Sequence, residues 1–163
     1  MALPVPRSEA EFSAIERVNI RGKEMKFETF GKCFVCGENN PNGLRLSFEI
    51  DQEKKTLKTT FVSSATFQGW DGIVHGGIVS TLLDEAMAKL VYELGYHAVT
   101  ASLEIKFKKP APILKPLLVY GEIVEVNRRV IRAKARVTQQ DGTVLATGTS
   151  TFLQRRASRM GSP

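Results

Sequence analysis

The sequence predicts an α+β domain in which an antiparallel sheet of about six strands curls around one long central helix. Three observations favour this fold class. Six segments have the residue pattern of strands, one 18-residue segment has the period of an amphipathic helix, and a single helix cannot cover both faces of a parallel sheet. The length of 163 residues suits one domain with a substantial core.

The N-terminal residues predict a short helix outside the main fold. Ser8 and Glu11 have the spacing of a capping box, and apolar residues follow them at helical intervals. We therefore expect a helical appendage over residues 1–30, the main domain over 31–155 and a tail over 156–163.

Six segments are predicted to be strands. In "LRLSFEI", residues 44–50, apolar and polar side chains alternate, and "TLKTTFV" returns after a polar turn as its hairpin partner. Four further strands follow the helix: residues 101–107, "LLVYGEIVEV", "VIRAKARVTQ" and "VLATGTSTFL". Prolines end the first of these four, and Asp141-Gly142 joins the last two as a hairpin turn. The predicted order is β-β-α-β-β-β-β.

The helix is predicted from about Gly77 to Leu94, with Gly95 as its left-handed C-cap. Its apolar side chains cover about half of the circumference at 100° per residue. They are Val79, Leu82, Leu83, Ala86, Met87, Leu90, Val91 and Leu94. This wide apolar arc indicates a helix held in a concave sheet.

Asp84 lies at the margin of this apolar arc, apart from the charged face of the helix. Glu85 belongs to that charged face and is expected to form a surface ion pair with Lys89. The neighbours of Asp84 at i−7, i−3 and i+4 form a stripe of small residues: Gly77, Thr81 and Ala88. One interpretation is a solvated aspartate favoured by the helix dipole, and the other is a carboxylate facing a site.

The residues at the start of the helix favour the second interpretation. The N–H groups of about Gly76 and Gly77 are able to donate to a carbonyl oxygen that acquires negative charge, and glycine allows close approach. A carboxylate further along the helix is then suited to act as nucleophile or as general base for water. Together these groups indicate acyl transfer to water.

The stretch "HGGIVSTLLDEA" resembles the His-Gly-Gly and helix aspartate of hotdog-fold acyl-CoA thioesterases, most of all their PaaI-like branch. The resemblance extends through "CFVCGENNPNGLRL", "FQGWDGIVHGG" and "TASLEIKFKKPAPI". It implies that Asp84 is the catalytic carboxylate, that Gly76 and Gly77 polarise the thioester carbonyl, and that His75 orients the loop. It also implies a homodimer or a dimer of dimers, in which the glycine donors of one subunit face the carboxylate of the other.

Further residues are assigned by the same resemblance. Thr100 matches a Ser or Thr that holds the attacking water or the carboxylate in the family. Alternation along the strand, however, places Thr100 on the same face as Ser102 and Lys106, so a surface threonine is the alternative. The family's amide side chain is replaced by Gly69, which leaves Gln68 to bind substrate or merely to cap backbone groups. Apart from the resemblance, we assign Trp70 to substrate binding because it lies on the same loop, and Thr81 because it belongs to the stripe of small residues beside Asp84. An exposed or core tryptophan is the alternative for Trp70.

No cofactor or metal is expected. Cys33 and Cys36 form a C-x-x-C, but a zinc site needs four ligands, and only His75 and His97 remain to supply the others. A redox motif would open a helix after a strand, whereas "GENNPNGL" leads into a strand. The expected role is two small buried apolar residues beside a turn.

The charge and the amino-acid composition limit the kinds of molecule that the chain is expected to bind. The net charge of +6 suits an anionic ligand, but aromatic residues make up only 8% and no nucleic-acid recognition motif is present. No apolar run is long enough for membrane insertion, and no secretory signal is visible. We expect a cytoplasmic acyl-CoA thioesterase, with a non-catalytic acyl-CoA or lipid binding protein as the alternative. A hydratase of the same fold is disfavoured, because its Asp and His together at the helix entrance are absent.

Overall fold

One long helix, eight strands and two short 3-10 helices, Phe30–Lys32 and Ala65–Phe67, lie within residues 30–154, the part of the chain that the computed structural model describes. The strands are β1 (Glu49–Asp51), β2 (Thr56–Val62), β3 (Gln68–Trp70), β4 (Ile73–Val74), β5 (Ala98–Phe107), β6 (Pro116–Asn127), β7 (Val130–Thr138) and β8 (Val144–Gln154), and the helix is α1 (Gly76–Glu93). The predicted N-terminal helix and C-terminal tail lie outside the described residues, and the domain boundaries stay predictions.

Six of the strands form one antiparallel sheet in the order β1-β2-β6-β7-β8-β5. The predicted sheet and its single long helix are therefore confirmed. β3 and β4 form a separate two-stranded hairpin just before α1, and this hairpin was not predicted. It is short because Gly72, at a φ of 72°, turns the chain between its two strands.

The predicted strand over residues 44–50 was wrong in its first part. β1 contains only Glu49–Asp51, because Arg45 adopts a φ of 52° that no extended strand accommodates. The backbone N–H groups of Leu44 and Leu46 donate instead to the carbonyls of Phe34 and Val35, at 2.8 and 2.9 Å. The alternation itself persists, since the apolar side chains of this segment are partly buried against the core.

The core lies between α1 and the concave face of the sheet. Seven of the eight predicted apolar residues of the helix are buried, and Leu94 is partly buried at its end. They pack against inward-facing side chains of β2, β6, β7 and β8, which include Leu57, Val119, Ile131 and Phe152. Burial of this apolar area is the main term that stabilises the fold. Within residues 30–154, no helix is long and apolar enough to cross a bilayer.

Gly95 ends α1 in the left-handed region, with a φ of 83° and no atom within 4 Å of the position of a Cβ. Replacement by alanine is therefore expected to lower the free energy of unfolding through backbone strain alone, by about 1–2 kcal/mol. Urea unfolding measures the change. Gly95→Asn is the matched control and should cost less, because asparagine tolerates this region better. Equal stability of the alanine variant and the wild type would contradict the assigned C-cap.

Candidate active site

Asp84 lies in the middle of α1, on the side of the helix that faces β5. Its side chain is half-buried, and its Oδ1 accepts a hydrogen bond from the hydroxyl of Thr100 on β5 at 3.2 Å. Within residues 30–154, Oδ2 accepts no hydrogen bond. The structure thus brings together the two residues that the sequence singled out, and it leaves one carboxylate oxygen available.

Thr100 reaches the helix because of an irregularity in β5. The pairing of β5 with β8 shifts between Thr100 and Ser102, so that Ala101 is an extra residue. Thr100 is paired with the buried Phe152, whereas Ser102 is paired with Thr151, whose side chain faces the other way. The predicted parity, which grouped Thr100 with Ser102, was wrong for this reason.

Burial changes the acidity of Asp84. Removal from water raises the pKa of its carboxyl above the ordinary value, and the hydrogen bond from Thr100 opposes part of that rise. A carboxylate with a raised pKa is a stronger base than one in water, so its environment favours proton abstraction.

The same shift predicts that Asp84→Asn stabilises the folded chain at neutral pH. A carboxyl whose pKa is higher in the folded than in the unfolded chain destabilises the fold wherever it must ionise, which is above the raised pKa. Below the ordinary aspartate pKa it is protonated in both states and the penalty is absent. Urea unfolding should therefore favour the variant at pH 7 and show no difference near pH 3. An advantage that grows on acidification would contradict this.

The loop at the start of α1 is organised by His75. The His75 side chain is the N-cap, and its Nδ1 accepts a hydrogen bond from the N–H of Gly77 at 2.9 Å. This bond fixes the imidazole as the tautomer with its proton on Nε2. Within the described part of the chain, the N–H of Gly76 donates to no acceptor. Of the two predicted donors, Gly76 is therefore the one left available at this helix N-terminus.

Gly76 and Asp84 lie far apart on the same helix. Eight residues at 1.5 Å each separate them by roughly 12 Å along the axis. A nucleophile and an oxyanion donor must both lie about 3 Å from one carbonyl group. These two groups of a single chain therefore do not meet at one reacting carbon.

The remaining predicted residues lie around the β3–β4 hairpin and the first turns of α1. The Gln68 Oε1 accepts from the N–H of Gly72 at 3.4 Å, which is a loop-capping contact. Trp70 is 80% exposed, so it is not a core residue. The Thr81 hydroxyl donates to the Gly77 carbonyl at 2.9 Å. A Cβ at Gly69 would lie 3.0 Å from the His75 ring, so a side chain here would displace that ring.

A second group of polar side chains lies beside the same helix and was missed in the sequence. The Cys33 Sγ lies 3.9 Å from both carboxylate oxygens of Glu85, and the Cys36 Sγ lies within 4.8 Å of both groups. We call Cys33, Cys36 and Glu85 the Cys–Glu cluster. Burial is the main cause that raises the pKa of the Cys36 thiol and of the Glu85 carboxyl. Glu85 was predicted to form a surface ion pair with Lys89, but it is half-buried beside the two cysteines. Its charge still interacts with that of Lys89, whose 2.6 Å ion pair is with Glu93.

Residues 71–146 match the model of the thioesterase superfamily. Two similar curated proteins are acyl-coenzyme A thioesterases. THEM4 of Rattus norvegicus is 26% identical over 113 residues, 69% of this chain and 49% of the relative. THEM5 of Mus musculus is 33% identical over 104 residues, 63% of this chain and 41% of the relative. The chain thus spans about half the length of the curated relatives that it matches.

Solved structures share the fold. A crystal structure of a thioesterase superfamily protein has a TM-score of 0.73 at 22% identity, over 89% of this chain and 73% of that one. PaaI of E. coli has a TM-score of 0.64 at 18% identity, over 69% of this chain and 80% of that one. A Streptococcus mutans protein bound to acetyl-CoA has a TM-score of 0.62 at 25% identity, over 68% and 88%. Residues 71–146 thus resemble the thioesterase superfamily, and the chain has the fold of these solved structures.

Proposed function

We propose that the chain hydrolyses an acyl-CoA thioester to a free acid and CoA, with Asp84 as its catalytic carboxylate. The observation that carries this proposal is the half-buried Asp84, held by Thr100 on the central helix of a thioesterase-superfamily domain. The names of the matched relatives support the same activity.

Asp84 acts through the oxygen that Thr100 does not hold. As general base, Oδ2 takes a proton from water while the water oxygen attacks the thioester carbon. The C–S bond then breaks, and the proton passes to the sulfur of the departing CoA. As nucleophile, the same oxygen attacks the thioester carbon, and the C–S bond breaks to leave a mixed anhydride and the CoA thiolate. Water then hydrolyses the anhydride to the free acid and the regenerated carboxylate, and a proton from that water ends on the CoA sulfur. In both routes the Thr100 hydroxyl fixes the carboxylate through its 3.2 Å bond to Oδ1.

Gly76 supplies the electrophilic part of the site. Its N–H opens α1 at the positive end of the helix dipole, where negative charge on a carbonyl oxygen is favoured. His75 acts indirectly, because its bond to the Gly77 N–H fixes the loop that presents Gly76. Gly77 would add a second donor only after that bond opens.

Two copies of the chain complete the site. The separation of Gly76 from Asp84 along one helix, roughly 12 Å, supports a donor that comes from a second subunit. β5 is an edge of the sheet, and its exposed apolar side chains include Leu103 and Phe107, the latter 58% exposed. An edge strand with exposed apolar residues is a surface for pairing with another chain. We therefore propose a homodimer joined along β5, either alone or as half of a dimer of dimers.

The substrate is assigned as an acyl-CoA. The Streptococcus mutans structure holds acetyl-CoA, and the net charge of +6 of this chain favours the phosphates of CoA. We assign the exposed Trp70, with Gln68 and Thr81, to the acyl group. The cytoplasm stays our prediction for the compartment, although one matched relative is named a mitochondrial protein.

A thiol-release assay tests the function. Purified chain is incubated with short, long and aromatic acyl-CoAs, and free CoA is trapped by a chromogenic disulfide. Hydrolysis of one class is the expected result. Binding of acyl-CoA in equilibrium dialysis without release of thiol would instead support the non-catalytic acyl-CoA or lipid binding protein.

A further inference from the structure

We propose that the Cys–Glu cluster binds a thiophilic divalent cation, of which Zn²⁺ fits best, and that this ion fastens the loop of residues 30–46 to α1. The cluster combines two thiols from the loop with one carboxylate from the helix. One ligand atom of each of the three residues lies within 4.8 Å of the others. Two ligands of a tetrahedral zinc ion are separated by roughly 3.5–3.8 Å, so small side-chain movements close the site.

The backbone around Cys33 has the form of a metal-binding turn. The N–H of Val35 donates to the Cys33 Sγ at 3.3 Å, which is the kind of bond that supports a coordinated thiolate. The N–H of Gly37 donates to the Cys33 carbonyl at 3.0 Å. A Cβ at Gly37 would lie 2.5 Å from the N and O atoms of Cys33, so only glycine permits this turn. The turn holds the two cysteines on one side of the loop.

The loop is held in place by its own hydrogen bonds, before any ion binds. Asn39 donates its N–H to the Gly31 carbonyl at 2.8 Å, and Leu44 and Leu46 bond to the stretch between the cysteines. The Asn40 side chain accepts from the N–H of Asn42 at 3.0 Å. Since the ligands are ordered in advance, an ion would bind without a large loss of chain entropy.

The hydrogen bonds within the cluster are too weak to explain why the Glu85 carboxylate lies beside two thiols. A thiol is a weak donor, and the distance from the Cys33 Sγ to each Glu85 oxygen is 3.9 Å, near the limit for a bond to sulfur. A cation between these groups would interact far more strongly with the carboxylate and with two thiolates. The two sulfur atoms and the glutamate are therefore better suited to bind a cation than to form hydrogen bonds with one another.

An ion has access to the cluster and a suitable charge environment. All three residues are only half-buried, and Cys36 borders a cleft of about 510 Å³ that Lys89 and Glu93 also line. Zn²⁺ with two thiolates and one carboxylate carries a net charge of −1, and the nearby Lys89 ammonium, which also forms an ion pair with Glu93, attracts this charge. Binding releases the two thiol protons, and a water molecule from the cleft fills the fourth position.

The site is separate from the proposed hydrolysis. Glu85 is the residue after Asp84, but the two side chains leave the helix about 100° apart and face different elements. The ion would therefore stabilise the fold by holding the loop, without contacting the thioester.

Titration of the reduced, metal-free chain with Co²⁺ and Zn²⁺ tests this site. We expect one equivalent of Co²⁺ to produce thiolate-to-metal charge-transfer absorption with tetrahedral visible bands, and Zn²⁺ to displace it. Cys36→Ser should abolish the charge-transfer absorption, and Glu85→Gln should weaken Zn²⁺ binding by at least about tenfold, measured against a chromophoric chelator. Glu93→Gln is the matched control, because it makes the same change in the adjoining cleft and should bind Zn²⁺ like the wild type.

Three outcomes would overturn the site. They are no thiolate charge transfer with Co²⁺, equal Zn²⁺ affinity of Glu85→Gln and wild type, and thiols that react with a chromogenic disulfide equally fast with and without Zn²⁺. Asp84→Asn should bind Zn²⁺ like the wild type whether or not acyl-CoA hydrolysis is found, so the two proposals fail separately.

Discussion

Replacing Asp84 with asparagine is expected to lower kcat for acyl-CoA hydrolysis by about 10²–10⁴-fold, the usual contribution of a positioned base or nucleophile. Asparagine keeps the size of the side chain and an oxygen that accepts from Thr100, but it takes no proton from water and forms no anhydride. KM should change little, because the substitution removes an interaction of the transition state rather than one of substrate binding. Steady-state thiol release over a range of substrate concentrations separates the two constants.

Asp141→Asn is the matched control for this experiment. It makes the same chemical change in the turn between β7 and β8, where the Asp141 carboxylate accepts from the N–H of Thr143 at 2.9 Å and an asparagine oxygen can do the same. This variant should retain the wild-type kcat. An Asp84→Asn protein that keeps full activity while remaining folded would remove Asp84 from the mechanism.

The fold was predictable because its signals are local. The helix period, the left-handed Gly95 and the Asp141-Gly142 turn each depend on a few neighbouring residues. These local signals were enough to predict the helix and most of the strands of the sheet. The separation of Asp84 from the charged helix face is also a local property, read at 100° per residue, and it led to a carboxylate that the structure places half-buried beside Thr100.

The errors arose where distant residues decide the structure. Period-two counting assumes an uninterrupted ladder, and the extra residue at Ala101 reverses the side on which Thr100 lies. Glu85 was assigned to a helix pair because Lys89 is four residues away, whereas its thiol contacts connect residues 52 positions apart. For the same reason the sequence indicated only the two histidines as further ligands beside the cysteines, and not a carboxylate that the fold brings near them.

Gly76→Pro is expected to lower kcat by about 10²–10³-fold, the usual effect of removing one oxyanion donor. Proline suits the first position of a helix, where its missing N–H breaks no helical bond. The preceding His75 already has φ −57° and ψ 135°, which proline requires of the residue before it. Gly76→Ala is the control: it keeps the N–H, and its Cβ would lie 3.5 Å from the Phe107 ring, an ordinary contact. Similar rates for the two variants would show that this N–H is not used.

Mixing the two inactive variants decides whether the site is shared between subunits. In a mixed dimer of Asp84→Asn and Gly76→Pro chains, one site receives the intact Asp84 from one subunit and the intact Gly76 from the other, while the second site carries both defects. Random pairing makes about half of the dimers mixed, so co-expression should restore about a quarter of the wild-type kcat. If both groups acted from one chain, every site would keep one defect and the mixture would stay as inactive as its parents. Because roughly 12 Å separates these groups along α1, we expect the first result.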